Sequence, residues 1–458
     1  MAIATLNPAT GEVEMTFEPH GPQEIENRLA RAQSAVFALR GTSFADRAGW
    51  MRAAADLLDD DNERIATIMT REMGKPIGAA RAEAAKCAKG MRFYADHAEE
   101  FLRDEVFGDP GSLGASRAFS RYEPLGIVLA VMPWNYPLWQ VIRFAAPALM
   151  AGNVGVLKHA SNVPQSALYL DTLFARGGFP AGSFSTLLIG SGEVRAVLED
   201  PRVKAVTLTG SEPAGRSVAS IAGAQVKKSV LELGGSDPFI VMPSADLSAA
   251  VATAVTARTI NNGQSCISAK RFIVHTDVYD RFAELFTAAM GALRVGDPLR
   301  EETQVGPLAT AAGRDELAQL VDDALTGGAT ALTGGAVPEG VGWYYPPTVI
   351  SGVTASMRLH REEAFGPVAT LYRVDDVDSA IALANVTDFG LSSSVWTTDQ
   401  REKARFVSEI EAGAVFLNGM TISYPELPFG GIKNSGFGRE LAAEGIREFC
   451  NLKTVWEA

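Results

Sequence analysis

The stretch "NVGVLKHA", residues 153–160, is a short β-branched run that opens the most regular part of the chain. The alternation of short apolar runs with helical segments continues through "PQSALYLDTLFARGG" (164–178), "STLLIG" (185–190), "EVRAVLED" (193–200), "VKAVTLTG" (203–210), "EPAGRSVASIAG" (212–223) and "KSVLELGG" (228–235). This alternation predicts βαβ units, which form a parallel sheet with helices on both faces. Ligands bind beyond the carboxyl ends of the strands in open sheets of this kind.

The segments on either side of this region have different patterns. Residues 22–104 repeat apolar residues at helical spacing with charged opposite faces. A second α/β lobe is predicted from about Asp237 to Gly430, with strand candidates "FIVMP", "KRFIVHT", "YPPTVI", "VATLYRV" and "GAVFLNG". The 458 residues exceed the size at which a single core stops growing. We therefore expect two closely packed lobes.

Composition and charge exclude several classes of protein. The chain has 41 Lys and Arg against 54 Asp and Glu, a net charge of −13, which argues against nonspecific binding to nucleic acid or to an anionic membrane. The three cysteines, Cys87, Cys266 and Cys450, are odd in number and far apart, so a disulfide framework is not expected. The five histidines have no ligand-like spacing, so no metal site is predicted.

The first residues, "MAIATLNPATGEV", lack the basic and apolar regions of a signal peptide. No apolar run reaches the roughly 18 residues that a transmembrane helix needs. A cytoplasmic location is the resulting expectation.

One cysteine lies in an unusual setting. Cys266 belongs to "NNGQSCISAKRF" (261–272) and is surrounded by Gln264, Ser265 and Ser268, whereas structural cysteines usually lie among apolar residues. The polar setting predicts a partly solvated thiol that can ionise and react. The alternative is an inert loop cysteine.

Polar residues also stand where the predicted strands end. These residues are Asn135 in "VMPWNYP", Lys158 and Ser161 in "VGVLKHAS", Gly210 and Ser211 in "VTLTGSEPAG", and Glu232 in "VLELGG". A carboxylate inside such an apolar run is costly to bury without a partner. Taken alone, Glu232 could still be a satisfied core residue, and Asn135 an ordinary turn residue.

Three of these side chains together fit one chemistry. A thiolate that attacks a carbonyl needs a donor for the developing oxyanion, and an asparagine amide with a backbone N–H can supply it. Hydrolysis of the adduct needs a base, such as a carboxylate with a raised pKa. Cys266, Asn135 and Glu232 supply these roles. The chain lacks a G-x-S-x-G elbow, a Walker loop and a G-x-G-x-x-G fingerprint, which argues against serine hydrolases, P-loop NTPases and the common dinucleotide signature.

Six motifs resemble those of the aldehyde dehydrogenase superfamily, in order and over essentially the whole chain: "PWNYP", "TGSEPAG", "VLELGGSDPFIV", "NNGQSCISAKRF", "EEAFGPV" and "PFGGIKNSGFGRE". The resemblance implies NAD(P)-dependent oxidation of an aldehyde to a carboxylic acid through a cysteine thiohemiacetal and a thioester. It implies that Cys266 is the nucleophile and Glu232 the general base. The oxyanion hole would consist of Asn135 and the Cys266 N–H.

The same resemblance implies a domain organisation. A cofactor-binding domain would comprise residues 1–115 and 131–233, and a catalytic domain residues 234–431. A small β oligomerisation ribbon at 116–130 would pair with a tail at 440–458. The implied fold is therefore α/β, with two Rossmann-like parallel-sheet lobes plus the ribbon, assembled as a homodimer or homotetramer. The implied cofactor contacts are Trp134, Lys158, Ser161, Gly210, Ser211, Glu363 and Phe365.

Within the superfamily the chain is most similar to succinate-semialdehyde dehydrogenases, in "QVIRFAAPALMAGN" (140–153) and "NGMTISYPELPFGG" (418–431). The similarity implies that Arg143 binds the substrate carboxylate, a role that suits a planar guanidinium fork. The alternative is that Arg143 lies on a helix surface or in an inter-lobe ion pair. Ile260 stands where some relatives have a second arginine, and Ser423 is the candidate to compensate. Another short aldehyde as substrate, a thiol hydrolase and a non-catalytic scaffold are the competing functions.

The segment "LKHASNVPQ" (157–165) bears on the cofactor. NAD-preferring relatives commonly have a glutamate three residues after the lysine, and here that residue is Ser161. We therefore expect NADP to be preferred, with NAD as the weaker alternative. Ser161 or Asn162 is expected to cap the helix at Pro164, whose amide dipoles also favour an anion. Ser268 replaces a second cysteine of some relatives, so no disulfide is expected within this loop.

Overall fold

A computed structural model describes residues 2–458. The strands are β1 (Ile3–Leu6), β2 (Val13–Phe17), β3 (Glu105–Val106), β4 (Arg117–Pro124), β5 (Ile127–Met132), β6 (Val154–His159), β7 (Phe184–Thr186), β8 (Val203–Thr209), β9 (Lys228–Glu232), β10 (Asp237–Val241), β11 (Ala269–His275), β12 (Thr330–Thr333), β13 (Thr348–Ser351), β14 (Val368–Val374), β15 (Phe389–Gly390), β16 (Ser393–Trp396), β17 (Val415–Leu417), β18 (Ile432–Lys433), β19 (Gly436–Phe437) and β20 (Cys450–Glu457). The α-helices are α1 (Pro22–Arg40), α2 (Phe44–Asp60), α3 (Asn62–Met73), α4 (Ile77–Phe101), α5 (Trp139–Met150), α6 (Pro164–Arg176), α7 (Val194–Glu199), α8 (Glu212–Ala224), α9 (Leu247–Thr259), α10 (Thr276–Gly291), α11 (Ala311–Thr326), α12 (Val377–Asn385), α13 (Gln400–Glu409) and α14 (Ala442–Arg447).

The first large sheet has the strand order β19-β9-β8-β5-β6-β7, and all its pairings are parallel except that of β19 with β9. The chain runs from β5 outward through β6 to β7, then returns to the other side of β5 and continues through β8 to β9. The order therefore reverses between β5 and β8. A reversal of this kind opens a crevice at the carboxyl ends of the strands, where ligands bind.

The second large sheet has the order β12-β13-β14-β11-β10-β16-β17, and only its edge strand β12 is antiparallel to its neighbour. The five strand candidates of this lobe correspond to β10, β11, β13, β14 and β17. The sequence pattern did not predict β16, whose residues are all buried. Two of its four residues are serines, which are uncommon in apolar strands, so the β-branched pattern is lost. The predicted fold of two parallel-sheet lobes and a small ribbon is confirmed.

The ribbon is a three-stranded antiparallel sheet of order β20-β4-β3. Its strand boundaries differ from the predicted range of 116–130, because β4 ends at Pro124 and Ile127 already begins β5 of the first large sheet. Gly126 makes this turn with a φ of +124°, a conformation that favours glycine. The predicted bounds of the cofactor-binding domain, the catalytic domain and the tail remain predictions.

Helix α5 is buried along its whole length behind the crevice. Its first turn is capped by a side chain from α4, since the Glu83 carboxylate accepts hydrogen bonds from the N–H groups of Leu138 and Trp139, both at 2.9 Å. Such capping of otherwise unpaired amides stabilises a helix by about 1 kcal/mol. No helix within residues 2–458 is both long enough and apolar enough to cross a membrane.

Candidate active site

Neighbouring strands bring the predicted strand-end residues to one edge of the first sheet. Asn135 follows β5, Gly210 follows β8, and Glu232 is the last residue of β9. The Gly210 N–H donates to the Glu232 carbonyl at 3.0 Å, which joins two of these ends directly. The predicted placement of these residues at strand ends is confirmed.

The loop that carries Cys266 lies between α9 and β11 and is held by two asparagines in the left-handed region. Asn261 and Asn262 both have φ of 57°, a conformation that asparagine adopts more readily than other non-glycine residues. The Asn261 side-chain amide donates to the Asn135 carbonyl at 2.7 Å and to the Gln264 carbonyl at 3.0 Å. Asn261 therefore ties the Asn135 segment to the Cys266 loop. The sequence analysis did not assign it a role, although the "NNG" sequence is the signal for such a turn.

Lys270 stabilises the same loop through hydrogen bonds to its carbonyl groups. Its ammonium group donates to the carbonyls of Ser265 at 2.9 Å and Cys266 at 2.8 Å, and it pairs with the Glu363 carboxylate at 3.1 Å. The Glu363 carboxylate also accepts from the Gly235 N–H at 3.2 Å. Lys270 thus links the nucleophile loop to a predicted cofactor residue.

The two glycines after Glu232 allow three segments to meet. A Cβ atom at Gly234 would lie 2.5 Å from a Glu363 carboxylate oxygen, and one at Gly235 would lie 2.7 Å from the Cys266 carbonyl oxygen. Both distances are shorter than real Cβ contacts, so a larger residue would push the Cys266 loop or Glu363 away. The two glycines of the "LELGG" sequence are therefore required by the close approach of these neighbours.

Cys266 is only 9% exposed, so the expectation of a partly solvated thiol is wrong. Burial raises the pKa of its thiol to about 12, while the nearby charges of Arg143 and Lys270 act in the opposite direction. The polar sequence neighbours did not predict the burial of Cys266, because the loop folds inward between the lobes. Burial therefore disfavours the thiolate in the free protein.

The side-chain amide of Asn135 lies against the loop that carries Cys266. The Asn135 amide is 4% exposed and donates to the Gln264 carbonyl at 3.1 Å, two residues before Cys266. An amide group has two N–H donors, so one stays available. The Cys266 backbone N–H makes no hydrogen bond within residues 2–458.

Glu232 is 1% exposed, and neither carboxylate oxygen has a hydrogen-bond partner among residues 2–458. Burial, reinforced by the negative charge of Glu440, raises its pKa well above the usual value. The positive charge of Arg143 acts on both Glu232 and Cys266 in the direction that favours their ionised forms. A buried carboxylate of raised pKa is a strong base, as the proposed role requires.

Arg143 is 3% exposed and is already paired. Its guanidinium forms a buried ion pair with Glu440, donates to the Thr209 hydroxyl at 3.2 Å and stacks 4.7 Å from the centre of the Phe429 ring. An ion pair of Arg143 therefore exists, but its partner belongs to the predicted tail (440–458) and not to the second lobe, so it is not the inter-lobe pair that the sequence left open. Glu440 belongs to the "PFGGIKNSGFGRE" motif, but the sequence did not indicate its partner.

A cavity of about 290 Å³ lies in front of the thiol. Its lining includes Cys266, Arg143 and Ser423, together with the apolar side chains of Ile267 and Phe429. The two predicted substrate residues thus share a cavity with the predicted nucleophile. Lys86, which the sequence analysis did not single out, lines the same cavity.

A second cavity of about 800 Å³ also borders the Cys266 loop, through Gln264. Gln264 lines it together with three predicted cofactor residues, Trp134, Glu363 and Phe365. The rings of Trp134 and Phe365 meet edge to face with centroids 5.7 Å apart. The nucleophile loop therefore borders two cavities, as expected of a site that binds two reactants.

The remaining predicted cofactor residues lie along the carboxyl edge of the first sheet. Lys158 is near the end of β6, Ser161 follows it, and Gly210 and Ser211 precede α8. The expected cap at α6 is wrong: neither Ser161 nor Asn162 caps this helix, because the Glu72 carboxylate accepts from the N–H groups of Gln165 at 2.7 Å and Ser166 at 3.1 Å. These two amides are not free to bind an anion.

Comparison with known proteins defines the class. The profile described as "Aldehyde dehydrogenase family" matches residues 1–455. The chain belongs to the aldehyde dehydrogenase family.

Curated relatives and solved structures show which members of the family the chain is similar to. The chain is 62% identical over 457 residues to a Mycobacterium avium (strain 104) protein named succinate-semialdehyde dehydrogenase (NADP(+)), covering 100% of this chain and 97% of that protein. It is 61% identical over 458 residues to a Mycobacterium tuberculosis (strain H37Rv) protein named succinate-semialdehyde dehydrogenase (NADP(+)) 1, covering all of both. The crystal structure of succinic semialdehyde dehydrogenase from Streptococcus pyogenes in complex with NADP+ has a TM-score of 0.96 and 37% identity, and the match covers 99% of both chains.

Proposed function

We propose that this protein catalyses the NADP-dependent oxidation of succinate semialdehyde to succinate. The observation that supports the proposal is that Cys266, Arg143 and Ser423, the candidate nucleophile and the candidate carboxylate ligands, line one cavity. The names of the curated relatives and the bound cofactor of the Streptococcus pyogenes enzyme support the same substrate and cofactor.

The proposed mechanism uses the residues described above. The Cys266 thiol releases its proton to solvent, the sulfur attacks the aldehyde carbon, and the resulting oxyanion accepts hydrogen bonds from the Asn135 amide and the Cys266 N–H. After the hydride has left, Cys266 holds the substrate as a thioester. Glu232 removes a proton from water, the water oxygen attacks the thioester carbon, and the carbon–sulfur bond breaks to release the acid and the thiolate.

The cofactor residues fit a nicotinamide dinucleotide. The Glu363 carboxylate would accept hydrogen bonds from ribose hydroxyls, and Trp134 and Phe365 would line the space around it. The first turn of α8 has no capping side chain among residues 2–458, so its amides can receive an anionic phosphate. Lys158 and Ser161 would hold the adenosine end. When bound, the cofactor supplies the hydride acceptor.

We also propose that the chain assembles as a homodimer or homotetramer through the ribbon. Its outer strand β20 has one unpaired edge, and it exposes Leu452 and Trp456 at 52% and 53%. Exposed sheet edges with apolar side chains commonly pair with another chain. Light scattering of the purified protein measures the number of subunits, and a monomer would contradict the proposal.

Absorbance of the reduced cofactor tests the function directly. The protein is mixed with NADP and, in separate reactions, with succinate semialdehyde, butanal or other short aldehydes. We expect reduced NADP to form fastest with succinate semialdehyde. Hydrolysis of an ester or thioester, with no reduction of NADP by any of the aldehydes, would indicate a thiol hydrolase. No reaction with either kind of substrate would indicate a non-catalytic scaffold.

The choice of cofactor gives a separate prediction at Ser161. We expect NADP to be preferred over NAD by at least roughly tenfold in kcat/KM, which corresponds to about 1.4 kcal/mol. The Ser161→Glu variant should weaken NADP use more than NAD use, because the new carboxylate would repel the 2′-phosphate, which only NADP has. Two like charges about 5 Å apart cost on the order of 3 kcal/mol at an effective dielectric near 20. Steady-state kinetics with both cofactors measures the ratio.

Ser161→Ala is the matched control, because it removes the hydroxyl without adding charge. A wild-type preference for NAD, or an unchanged ratio in the Ser161→Glu variant, would place the determinant of cofactor choice elsewhere.

A second prediction concerns Arg143 as a ligand of the substrate carboxylate. Arg143→Ala should raise KM for succinate semialdehyde much more than for butanal, but it also leaves Glu440 buried without a partner, which destabilises proteins by about 3–5 kcal/mol. Arg143→Lys keeps a positive charge beside Glu440 and loses the planar fork. We expect the lysine variant to raise KM for succinate semialdehyde about tenfold, by the loss of one charge-assisted hydrogen bond. Equal effects on both aldehydes would make Arg143 a structural residue.

A further inference from the structure

The cavity in front of Cys266 contains three cations, and two of them are neutralised by buried carboxylates. Arg143 is paired with Glu440, and Lys75 is paired with Glu83. The third cation, Lys86, has no carboxylate partner among residues 2–458. The substrate cavity therefore has one uncompensated positive charge, and it is located on Lys86 of α4.

Lys86 is held in place by two neutral neighbours. Its ammonium group donates to the Ser423 hydroxyl at 2.8 Å and lies 4.2 Å from the centre of the Trp139 ring. The Trp139 indole N–H also donates to the Ser423 hydroxyl, at 2.9 Å. A cation over an aromatic face is attracted to it without being neutralised, so Lys86 keeps its charge for a ligand.

The hydrogen bonds at Ser423 leave three hydrogen-bond donors free for a ligand: the Ser423 hydroxyl hydrogen and two hydrogens of the Lys86 ammonium group. The Ser423 oxygen already accepts two hydrogen bonds, so its own hydrogen is free to donate to a further acceptor. The Lys86 ammonium group has three hydrogens and uses one of them on Ser423. An acceptor without hydrogens of its own, such as an ionised carboxylate, is the ligand that suits this arrangement.

We propose that Lys86, together with the Ser423 hydroxyl, binds the distal carboxylate of the substrate and is the principal determinant of specificity for a semialdehyde over a neutral aldehyde. The inference rests on the proposed function, and it adds Lys86 to Arg143 as a ligand of the carboxylate. Neither the sequence motifs nor the relatives' names indicate Lys86. Ile260, Ile267 and Ile422 line the cavity without bringing charge, and they suit the methylene chain between the aldehyde and the carboxylate.

The pH dependence of specificity provides a readout that a structural lysine would not change. Burial lowers the pKa of Lys86 to about 8, and Arg143 and Lys75 act in the same direction, while Cys87 and Glu83 oppose it. The lysine is charged below this pKa and neutral above it, whereas the substrate carboxylate is ionised throughout the neutral and alkaline range. The ratio of kcat/KM for succinate semialdehyde to kcat/KM for butanal should therefore fall as the pH rises through about 8. Taking the ratio cancels the ionisations that both aldehydes share.

The test compares Lys86→Met, Lys86→Arg and the control Lys89→Met with the wild-type protein. Lys89 lies on the same helix, is exposed and does not line the cavity. We expect Lys86→Met to lower kcat/KM for succinate semialdehyde by about 100-fold, because the carboxylate loses its charge-assisted hydrogen bonds. The same substitution should change kcat/KM for butanal by less than about threefold. Lys86→Arg should restore most of the activity, and Lys89→Met should match the wild type. In Lys86→Met the ratio of kcat/KM for succinate semialdehyde to kcat/KM for butanal should no longer change between about pH 7 and about pH 9.

Three outcomes would overturn the inference. Equal losses with both aldehydes in Lys86→Met, in a protein whose circular dichroism and thermal unfolding are unchanged, would make Lys86 structural. An unchanged specificity ratio would place the carboxylate on Arg143 alone. A wild-type protein that does not prefer succinate semialdehyde over butanal would overturn the proposed function itself, which distinguishes that failure from the failure of Lys86 as the ligand.

Discussion

Replacement of Cys266 by alanine should reduce aldehyde oxidation by at least about 10⁴-fold, because no other group in the site can form the covalent adduct. Cys266 lines the cavity proposed for the substrate, and its loop is fixed by Asn261 and Lys270. The substitution removes one sulfur atom from a buried position and leaves those hydrogen bonds intact. Reduction of NADP in the presence of succinate semialdehyde measures the loss.

Cys450→Ala is the control for this experiment. Cys450 lies in β20 of the ribbon, far along the chain from the site, and its thiol donates only to the Ile446 carbonyl at 3.5 Å. Its replacement should leave kcat unchanged. Turnover retained in Cys266→Ala at more than a small fraction of the wild-type rate would exclude the thioester mechanism.

Replacement of Glu232 by glutamine should separate the two halves of the reaction. We expect a burst of about one reduced NADP per active site, followed by a steady state slower by about 10²–10⁴-fold, because the thioester forms but lacks the base that activates water. Both Glu232 oxygens lack partners among residues 2–458, so the amide loses no hydrogen bond within the protein. Rapid-mixing absorbance measurements resolve the burst from the steady state.

The matched control is Glu444→Gln, an exposed carboxylate on the short helix α14. It should behave as the wild type in both phases. A Glu232→Gln protein with an unchanged steady state would show that another group activates the water. Loss of the burst as well would show that Glu232 also receives the proton of the Cys266 thiol, whose pKa burial raises to about 12.

Much of the site could be predicted because it follows local rules of chain geometry. Parallel strands of one sheet have their carboxyl ends at a common edge, so polar residues that follow successive apolar runs are brought together there. This rule placed Asn135, Gly210 and Glu232 correctly. The motif set identified the family, and its order along the chain is consistent with the two large sheets.

Several features of the site depended on contacts between residues far apart in the chain. Glu72 reaches α6 and occupies the amides that the sequence analysis assigned to an anion. Arg143 finds its partner in Glu440, nearly three hundred residues later, and Lys86 finds its partner in Ser423. Short-range spacing contains no information on such pairs, because they depend on how the helical layer packs against the C-terminal segments.

The sequence by itself therefore determined the fold class, the candidate catalytic groups and the positions of Asn135 and Glu232 at strand ends. Only the tertiary structure decided their electrostatic state. The Cys266 loop has polar neighbours in sequence, yet it folds into a 9% exposed position where burial disfavours the thiolate. Ionisation and ion pairing depend on the solvent and charges around a group in three dimensions, and these are set by packing between lobes, which the pattern along a single chain does not specify.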